Sequence, residues 1–421
     1  MARLTRSRTI QKLSALRRLT LTGLPQYDVV IYDSFSRRHL YPLLDMTRTV
    51  VFETDSPRIN FWALLGSLRF GRPSSLNYLL SFLKRTCPRV VITTSDNSLN
   101  LYLIKKHFPG ICVIAIQNGR RNTFGPRPNS SFQTLLASSH VRPTVDYYFT
   151  FGSTEQVQFT PLVDATFIAH GSLKNNYLAY VAPDKPDRNF TLSYISSFPN
   201  LSSGNPPSID SDLPTHFFGD SPISYRNYFL AEYLVASFLQ KYCDKRNITF
   251  QVIAKQSSGS NIETEFFRRS CNNPVLVVHP CSPEGASYQE LVRSDFVVSI
   301  DSTLAYEMLG RGKRTAFLSI RASSIGLPNL QCPNFGYPEV ADISGPFWTN
   351  VNDESEFTRV LDFTIDSSSD QWSQAVSRYV PTVMSFDPDN SRLFAILEEL
   401  GVSHGKGIAE VRRRARDTYG V

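Results

Sequence analysis

"FVVSIDSTLAYEMLGRGKRTAFLSI", residues 296–320, places an Asp-Ser-Thr triplet between an apolar run and an amphipathic run, and a second apolar run follows almost at once. The order reads as strand, loop, helix, strand. Both apolar runs are continuous rather than alternating, which is how strands covered on both faces look, and that implies a parallel sheet. Ser302 or Thr303 is a good N-cap for a helix running through Glu307 to Gly310 or Gly312.

The same rhythm recurs on both sides of this stretch. "YDVVIYDSF" (27–35) reads as a buried strand and "PRVVITTSDNSLNLYLIKKHFPGICVIAIQNG" (88–119) as strand, loop, helix, strand; "VDYYFTFG" (145–152) and "DATFIAHGS" (164–172) continue the series. A polar, proline-containing stretch, "APDKPDRN" (182–189), is the best linker candidate. A second series follows with "FTLSYISSF", "ITFQVIAK", "PVLVVHP", "DFVVSIDS" and "KRTAFLSI" as strands. "YRNYFLAEYLVASFLQKYCDKRN" reads as a helix with Leu230, Leu234 and Phe238 on its apolar face. The Ser/Pro/Gly-rich "PNLSSGNPPSIDSDLPTHFFGDSP" reads as a loop. Two successive strand–helix series predict an α/β fold of two domains, with parallel sheets facing across a cleft. The expected boundaries are a basic arm (1–26), a first domain (27–181), the linker (182–189), a second domain (190–402) and a basic tail (403–421).

Composition bounds the function classes. The chain has 421 residues, enough for two domains, with 41% hydrophobic and 19% charged residues, as expected of a globular protein. No apolar stretch is long enough to cross a bilayer, and the N-terminus lacks the apolar core of a secretory signal. The cysteines (Cys87, Cys112, Cys243, Cys271, Cys281, Cys332) show no metal or disulfide spacing, which fits a reducing cytoplasm. The net charge of +7 gathers at the ends, in Arg3, Arg6, Arg8, Lys12, Arg17 and Arg18 and in "EVRRRARDTYGV". Those arms are either solvated tails or contacts to an anionic membrane surface at the inner face. Nucleic acid is not expected as a partner, because no aromatic-rich basic face accompanies the charge.

In doubly wound sheets ligands bind beyond the carboxyl ends of the strands, so the residues after each apolar run are the candidates. The start of the Ser302–Thr303 helix offers free N–H groups and a helix dipole to a phosphate, and Glu307, one turn on, could accept from a sugar hydroxyl such as a ribose diol. His279 and Pro280 end another run; the histidine can donate to a phosphate and the proline fixes the turn. In the first domain Asp96 and Asn97 end one strand, and Gln117, Asn118, Gly119 and Arg120 end the next. Asp96 there is either an N-cap or the base that takes a proton from an attacking hydroxyl; Asp33 is the alternative base, and Arg120 could hold an anion. Gly171 and Ser172, in "HGSLKNN", read as a hinge-side loop touching the donor or as a plain turn. Asp210 and Asp212, and the "DPD" at 387–389, read as solvated turns rather than as a metal-binding DxD. GxSxG, HExxH, Walker A and GxGxxG signatures are absent, which argues against hydrolase, metalloprotease, P-loop and dehydrogenase readings.

Through "VVITTSDNS", "IAIQNGRRN", "VDYYFTFG", "HGSLKNN", "VVHP" and "IDSTLAYEMLGRGKR" the chain resembles the surface carbohydrate biosynthesis proteins, glycosyltransferases of the two-domain GT-B type, from about residue 27 to 350. The HP pair and the Ser/Thr helix start are also similar to the CMP-binding elements of bacterial sialyltransferases and Kdo transferases. The resemblance implies two Rossmann-like domains and transfer of a sugar from a nucleotide-activated donor, such as a CMP-ulosonic acid. It implies a glycan or lipid-linked glycan acceptor, no cofactor and no metal. On it His279, Ser302 and Thr303 carry over as donor-binding residues. The chain departs from the sialyltransferases in lacking a clear acidic pair followed by glycine. The alternatives are a nucleotide-sugar epimerase or hydrolase on the same fold, and a non-catalytic glycan-assembly protein.

Overall fold

The computed structural model describes residues 19–41, 43–53, 59–72, 74–121, 124–125, 127–177, 189–198, 210–256, 261–281, 286–326 and 334–402. The basic tail, the arm up to residue 18 and the linker up to residue 188 therefore lie outside the described residues.

Two sheets organise the chain. The first has six parallel strands in the order Thr49–Phe52, Val29–Tyr32, Val90–Thr93, Cys112–Ile116, Thr144–Thr150, Asp164–Ala169. All four residues of Val29–Tyr32 and of Val90–Thr93 are buried, as continuous apolar runs require when helices cover both faces. The second sheet runs Val277–His279, Thr249–Ile253, Thr191–Ile195, Phe296–Ser299, Thr315–Leu318, Trp348–Thr349, Ser344–Gly345, parallel except for the last strand.

Each sheet reverses its winding once. In the first, Val29–Tyr32 lies between the strand that follows it and Val90–Thr93; in the second, Thr191–Ile195 lies between Thr249–Ile253 and Phe296–Ser299. At these points adjacent loops diverge to opposite faces and leave a crevice. The stretch at 296–320 forms the expected unit, with strands Phe296–Ser299 and Thr315–Leu318 joined through the helix Thr303–Gly310.

Three expectations are corrected. The helix Tyr225–Arg246 forms, but its buried side is Ala231, Val235, Ala236, Phe238, Leu239, Tyr242 and Cys243, and Leu230 is exposed. Residues spaced four apart drift about 40° per step around a helix, so a row of three leaves the buried face. The stretch expected as a loop folds at its end into an antiparallel hairpin, Pro214–Phe218 with Ser221–Ser224. The final helix, Ser391–Glu399, does not belong to the second domain: Leu393, Leu397 and Val402 pack with Val29, Ile31, Leu40 and Ile92 under the first sheet. The chain thus crosses back, and the crossing is pinned by Ser385 N–H donating to Phe151 O (2.7 Å) and by a bridge between Gly171 and Phe386.

Candidate functional site

Between the domains, at the reversal point of the second sheet, lies a cavity of about 500 Å³. Its floor is the ends of three strands: Ile195, Ser196 and Ser197; Ile253, Ala254 and Lys255; and Asp301, Ser302 and Thr303. Its roof comes from the first domain through Asn118, Arg120, Arg121 and Lys174.

Ser302 is the N-cap of the helix Thr303–Gly310, in extended conformation, with no side-chain cap of its own. Its N–H donates to Ser299 Oγ (3.2 Å), which anchors the loop to the strand and leaves the hydroxyl at the cavity. Thr303 Oγ1 accepts from the backbone N–H of Arg120 (3.2 Å), a bond between domains. The Arg120 guanidinium lies 4.3 Å from the Tyr306 ring centre and donates to Tyr337 O (3.2 Å), with Glu155 at 3.5 Å. Glu307 is buried and faces the cavity, held by the hydroxyls of Tyr288 and Ser172. Burial pushes its carboxyl above the ordinary value, and those hydroxyls with the nearby Lys174 and Arg311 pull partly the other way. Asn175 Nδ2 donates to the backbone oxygen of Glu307 (3.0 Å), a second tie between domains. The pKa of Asp301 is lowered: burial, the largest single influence, works against its charge, but the charge and hydrogen bond of Arg321 together with the Ser197 hydroxyl and Lys255 outweigh it. Arg321, itself fully buried, bonds Asp301 Oδ2 (2.7 Å) and Glu232 Oε1 (2.9 Å) and braces the floor.

Of the predicted residues, Ser302, Thr303, Glu307, Asn118 and Arg120 meet at this cavity. Others do not. The ring of His279 lies beside Gln251 Oε1 (3.1 Å) and Glu290 Oε2 (4.0 Å), and neither it nor Pro280 lines the cavity. On this edge strand His279 pairs with Ile253, and its side chain points along the sheet toward Gln251. Asp96 is fully buried and spent: both its oxygens are taken by Arg121, and Oδ2 also accepts from Tyr148 OH (2.8 Å) while Oδ1 accepts from Asn118 N–H (3.3 Å). It serves as neither cap nor accessible base, but fixes Arg121 at the cavity roof. Gly171 lies under the crossover at φ 82°, where a Cβ would stand 1.9 Å from Ser385 O, so it does not touch the cavity; Ser172 reaches it only through Glu307. Gly119 accepts from Gln117 Nε2 (3.1 Å) at the roof loop, and Asn97 lines a cavity of the first domain instead. Asp387, expected as a solvated turn, is buried and bonds Arg392 N–H (3.0 Å), with His170 Nε2 at 3.5 Å. Sequence reasoning missed Ser196, Ser197 and Lys255, although each follows an apolar run, and it missed Arg121, Lys174 and Tyr288, which no local signal marks.

A second cavity, of about 720 Å³, opens at the reversal point of the first sheet, lined by Tyr32, Asp33, Phe52, Ser95, Asn97, Ser98 and others. Asp33 has φ 83° and ψ 138°, a backbone conformation rare for any residue with a side chain. It is held there by accepting from Phe35 N–H (2.6 Å), as cap of the helix Ser34–Leu40, and from the Ser95 hydroxyl.

The profile of one family, described as "putative O-antigen biosynthesis protein", matches residues 114–401, well over half of the chain and all of the second sheet. The chain belongs to that family. Membership puts this O-antigen biosynthesis family protein in glycan biosynthesis. No curated protein matches its sequence. Among solved structures, a protein described as "putative UDP-N-acetylglucosamine 2-epimerase" from Listeria monocytogenes superposes with a TM-score of 0.50 at 10% identity, over 90% of this chain and 96% of its own. The UDP-GlcNAc 2-epimerase of Neisseria meningitidis, solved with UDP-GlcNAc bound, gives 0.46 at 10% identity over 90% and 100%. The wall teichoic acid polymerase TagF gives 0.47 at 10% identity over 88% of each chain. At such identities the likeness is one of fold. The O-antigen family protein has the GT-B fold, two Rossmann-like domains facing across a cleft.

Proposed function

We propose that this protein is a GT-B glycosyltransferase that moves a sugar from a nucleotide-activated donor to a surface glycan acceptor. The observation that carries the reading is the pair of cavities, one at the reversal point of each sheet, with a cation-rich roof over the second-domain cavity. That cavity suits an anionic nucleotide: the helix start at Ser302–Thr303, Ser196, Lys255 and Lys174 surround space for a phosphate, and Glu307 faces a sugar hydroxyl. These groups would stabilise the negative charge of the leaving phosphate without a bound metal.

The acceptor would enter through the first-domain cavity. Its hydroxyl oxygen would attack the anomeric carbon as the bond from that carbon to the phosphate oxygen breaks, and Asp33 would take the hydroxyl proton. Asp33 replaces Asp96 as the leading base because it lines the first-domain cavity and has no cation bound to it among the contacts described, whereas Asp96 is buried and ion-paired with Arg121. The neighbours' names offer UDP-GlcNAc as a donor as readily as the sequence resemblance offers a CMP-sugar, so both nucleotides belong in the test.

Thermal stabilisation by CMP, UDP, GDP and dTDP, each on wild type, Ser302→Ala and Thr303→Val, tests the reading. A nucleotide bound at a hundredfold excess over its dissociation constant stabilises by roughly 2.7 kcal/mol. One nucleotide should raise the melting temperature, and both variants should lose the rise. No shift with any nucleotide would sink the proposal, and donor turnover without any acceptor would replace transfer by epimerisation or hydrolysis.

A further inference from the structure

We propose that the helical ridge Phe61–Phe70 docks this protein on an anionic phospholipid bilayer. Exposed large apolar side chains are scattered over most of the surface, but here they gather: Trp62, Leu64, Leu65 and Leu68 are 41%, 38%, 49% and 56% exposed, and Leu21 beside them is 67% exposed. The helix Phe61–Ser67 buries only Ala63 and Ser67, so its apolar side faces out. A contiguous patch of this kind marks an interaction surface.

Charge selects the partner. From Ile59 to Arg89 the chain has no Asp or Glu, and Arg69, Arg72, Lys84 and Arg85 are all exposed. Arg85 Nε lies 3.5 Å from where a Cβ on Gly66 would stand, so a cation borders the apolar ridge directly. The basic arm is tied to the same place. Leu19–Thr20 pairs with Ile59–Asn60, Trp62 Nε1 donates to Leu21 O (2.9 Å) and Asn60 Nδ2 donates to Thr22 O (2.9 Å). In sequence, six arginines and lysines within residues 1–18 come directly before Leu19. Apolar side chains with an interfacial tryptophan, bordered by the cations of a segment that has no acid of its own, match acyl chains beneath anionic headgroups. Among the described residues no helix is long and apolar enough to cross a membrane, so the contact would be peripheral. Leu64 also lines the first-domain cavity, so on the transferase reading a docked ridge would hold the acceptor opening at the lipid surface.

The test uses the full chain and sedimentation with vesicles of phosphatidylcholine, alone or with roughly a third phosphatidylglycerol. The acidic vesicles should bind at least about tenfold more tightly than the neutral ones, with the gain lost at high salt, and Leu65→Glu/Leu68→Glu should weaken binding at least about tenfold. Both side chains are exposed, so an unchanged melting temperature checks the fold. Trp348 and Trp372 are buried, which makes Trp62 the reporter: its emission should shift to the blue and be quenched by brominated acyl chains. Absence of binding to acidic vesicles, or equal binding by the double variant, overturns the proposal. So does a concentration-dependent dimer that the double variant abolishes, since the ridge would then cover a second copy. The readout is binding without turnover, so its failure is distinct from failure of the nucleotide site.

Discussion

The backbone N–H of Arg120 donates to Thr303 Oγ1 across the interdomain cleft, while the Arg120 guanidinium lies on the Tyr306 ring and faces the buried Glu155. One residue of the first domain thereby anchors the first turn of the helix that caps the second-domain cavity. Removing the side chain leaves Glu155, whose carboxyl burial already pushes upward, without its cation. Arg120→Ala should therefore lose roughly 3 kcal/mol in denaturant unfolding, and Arg120→Ala/Glu155→Gln should recover at least half of that. Nucleotide-induced stabilisation should stay reduced in both variants. Full stability in the single variant would mean that the pair is solvated.

Gly171 separates a structural glycine from a donor-binding one. At φ 82° it has the left-handed backbone that favours glycine, and a Cβ would collide with the Ser385 carbonyl of the returning chain. Gly171→Ala should cost roughly 2 kcal/mol or more, since neither backbone can move without breaking the Ser385 to Phe151 bond. Nucleotide affinity measured well below the melting temperature should be unchanged. A variant that is stable but binds nucleotide weakly would restore the donor role.

The strands were legible because parallel strands buried on both faces leave unbroken apolar runs, as in "VVIY" and "FVVS". The second-domain floor followed from position alone, since Ser302 and Thr303 come directly after such a run. Side-chain direction was not legible. His279 turns along an edge strand toward Gln251, and Asp96 is claimed by an arginine twenty-five residues later and by Tyr148. The return of the last helix was also hidden, because an amphipathic pattern marks an apolar face but not the sheet it covers.

His39 predicts acid sensitivity. It is buried in the helix Ser34–Leu40, its Nε2 has no partner among the described residues, and burial, with the charges of Lys174 and Arg38, lowers its pKa from 6.5 to about 3. Between those values the unfolded chain binds a proton that the folded chain does not. The contribution to stability is thus complete above 6.5 and lost as pH falls toward 3. His170, lowered to about 4 mainly by burial, acts in the same direction. In unfolding free energies measured across this window, His39→Leu should reduce the slope by nearly one proton, ~1.4 kcal/mol per pH unit. An unaltered slope would mean that His39 is protonated in the fold.

Asp33 and Asp96 predict opposite separations of stability from catalysis. Asp96→Asn removes the charge that balances Arg121, a side chain only 17% exposed, and should cost roughly 3 kcal/mol. Asp33→Asn keeps a side-chain oxygen to cap the helix Ser34–Leu40, and asparagine tolerates positive φ better than most residues, so the loss should stay within about 1 kcal/mol. What Asp33→Asn removes is the capacity to accept a proton, and on the transferase reading kcat should fall at least about a hundredfold with nucleotide binding intact. The two variants, compared for unfolding and for turnover at saturating donor, should therefore fail in different assays. If Asp33→Asn turns over normally, the proton leaves by another route, and the unusual Asp33 backbone is explained by the helix cap alone.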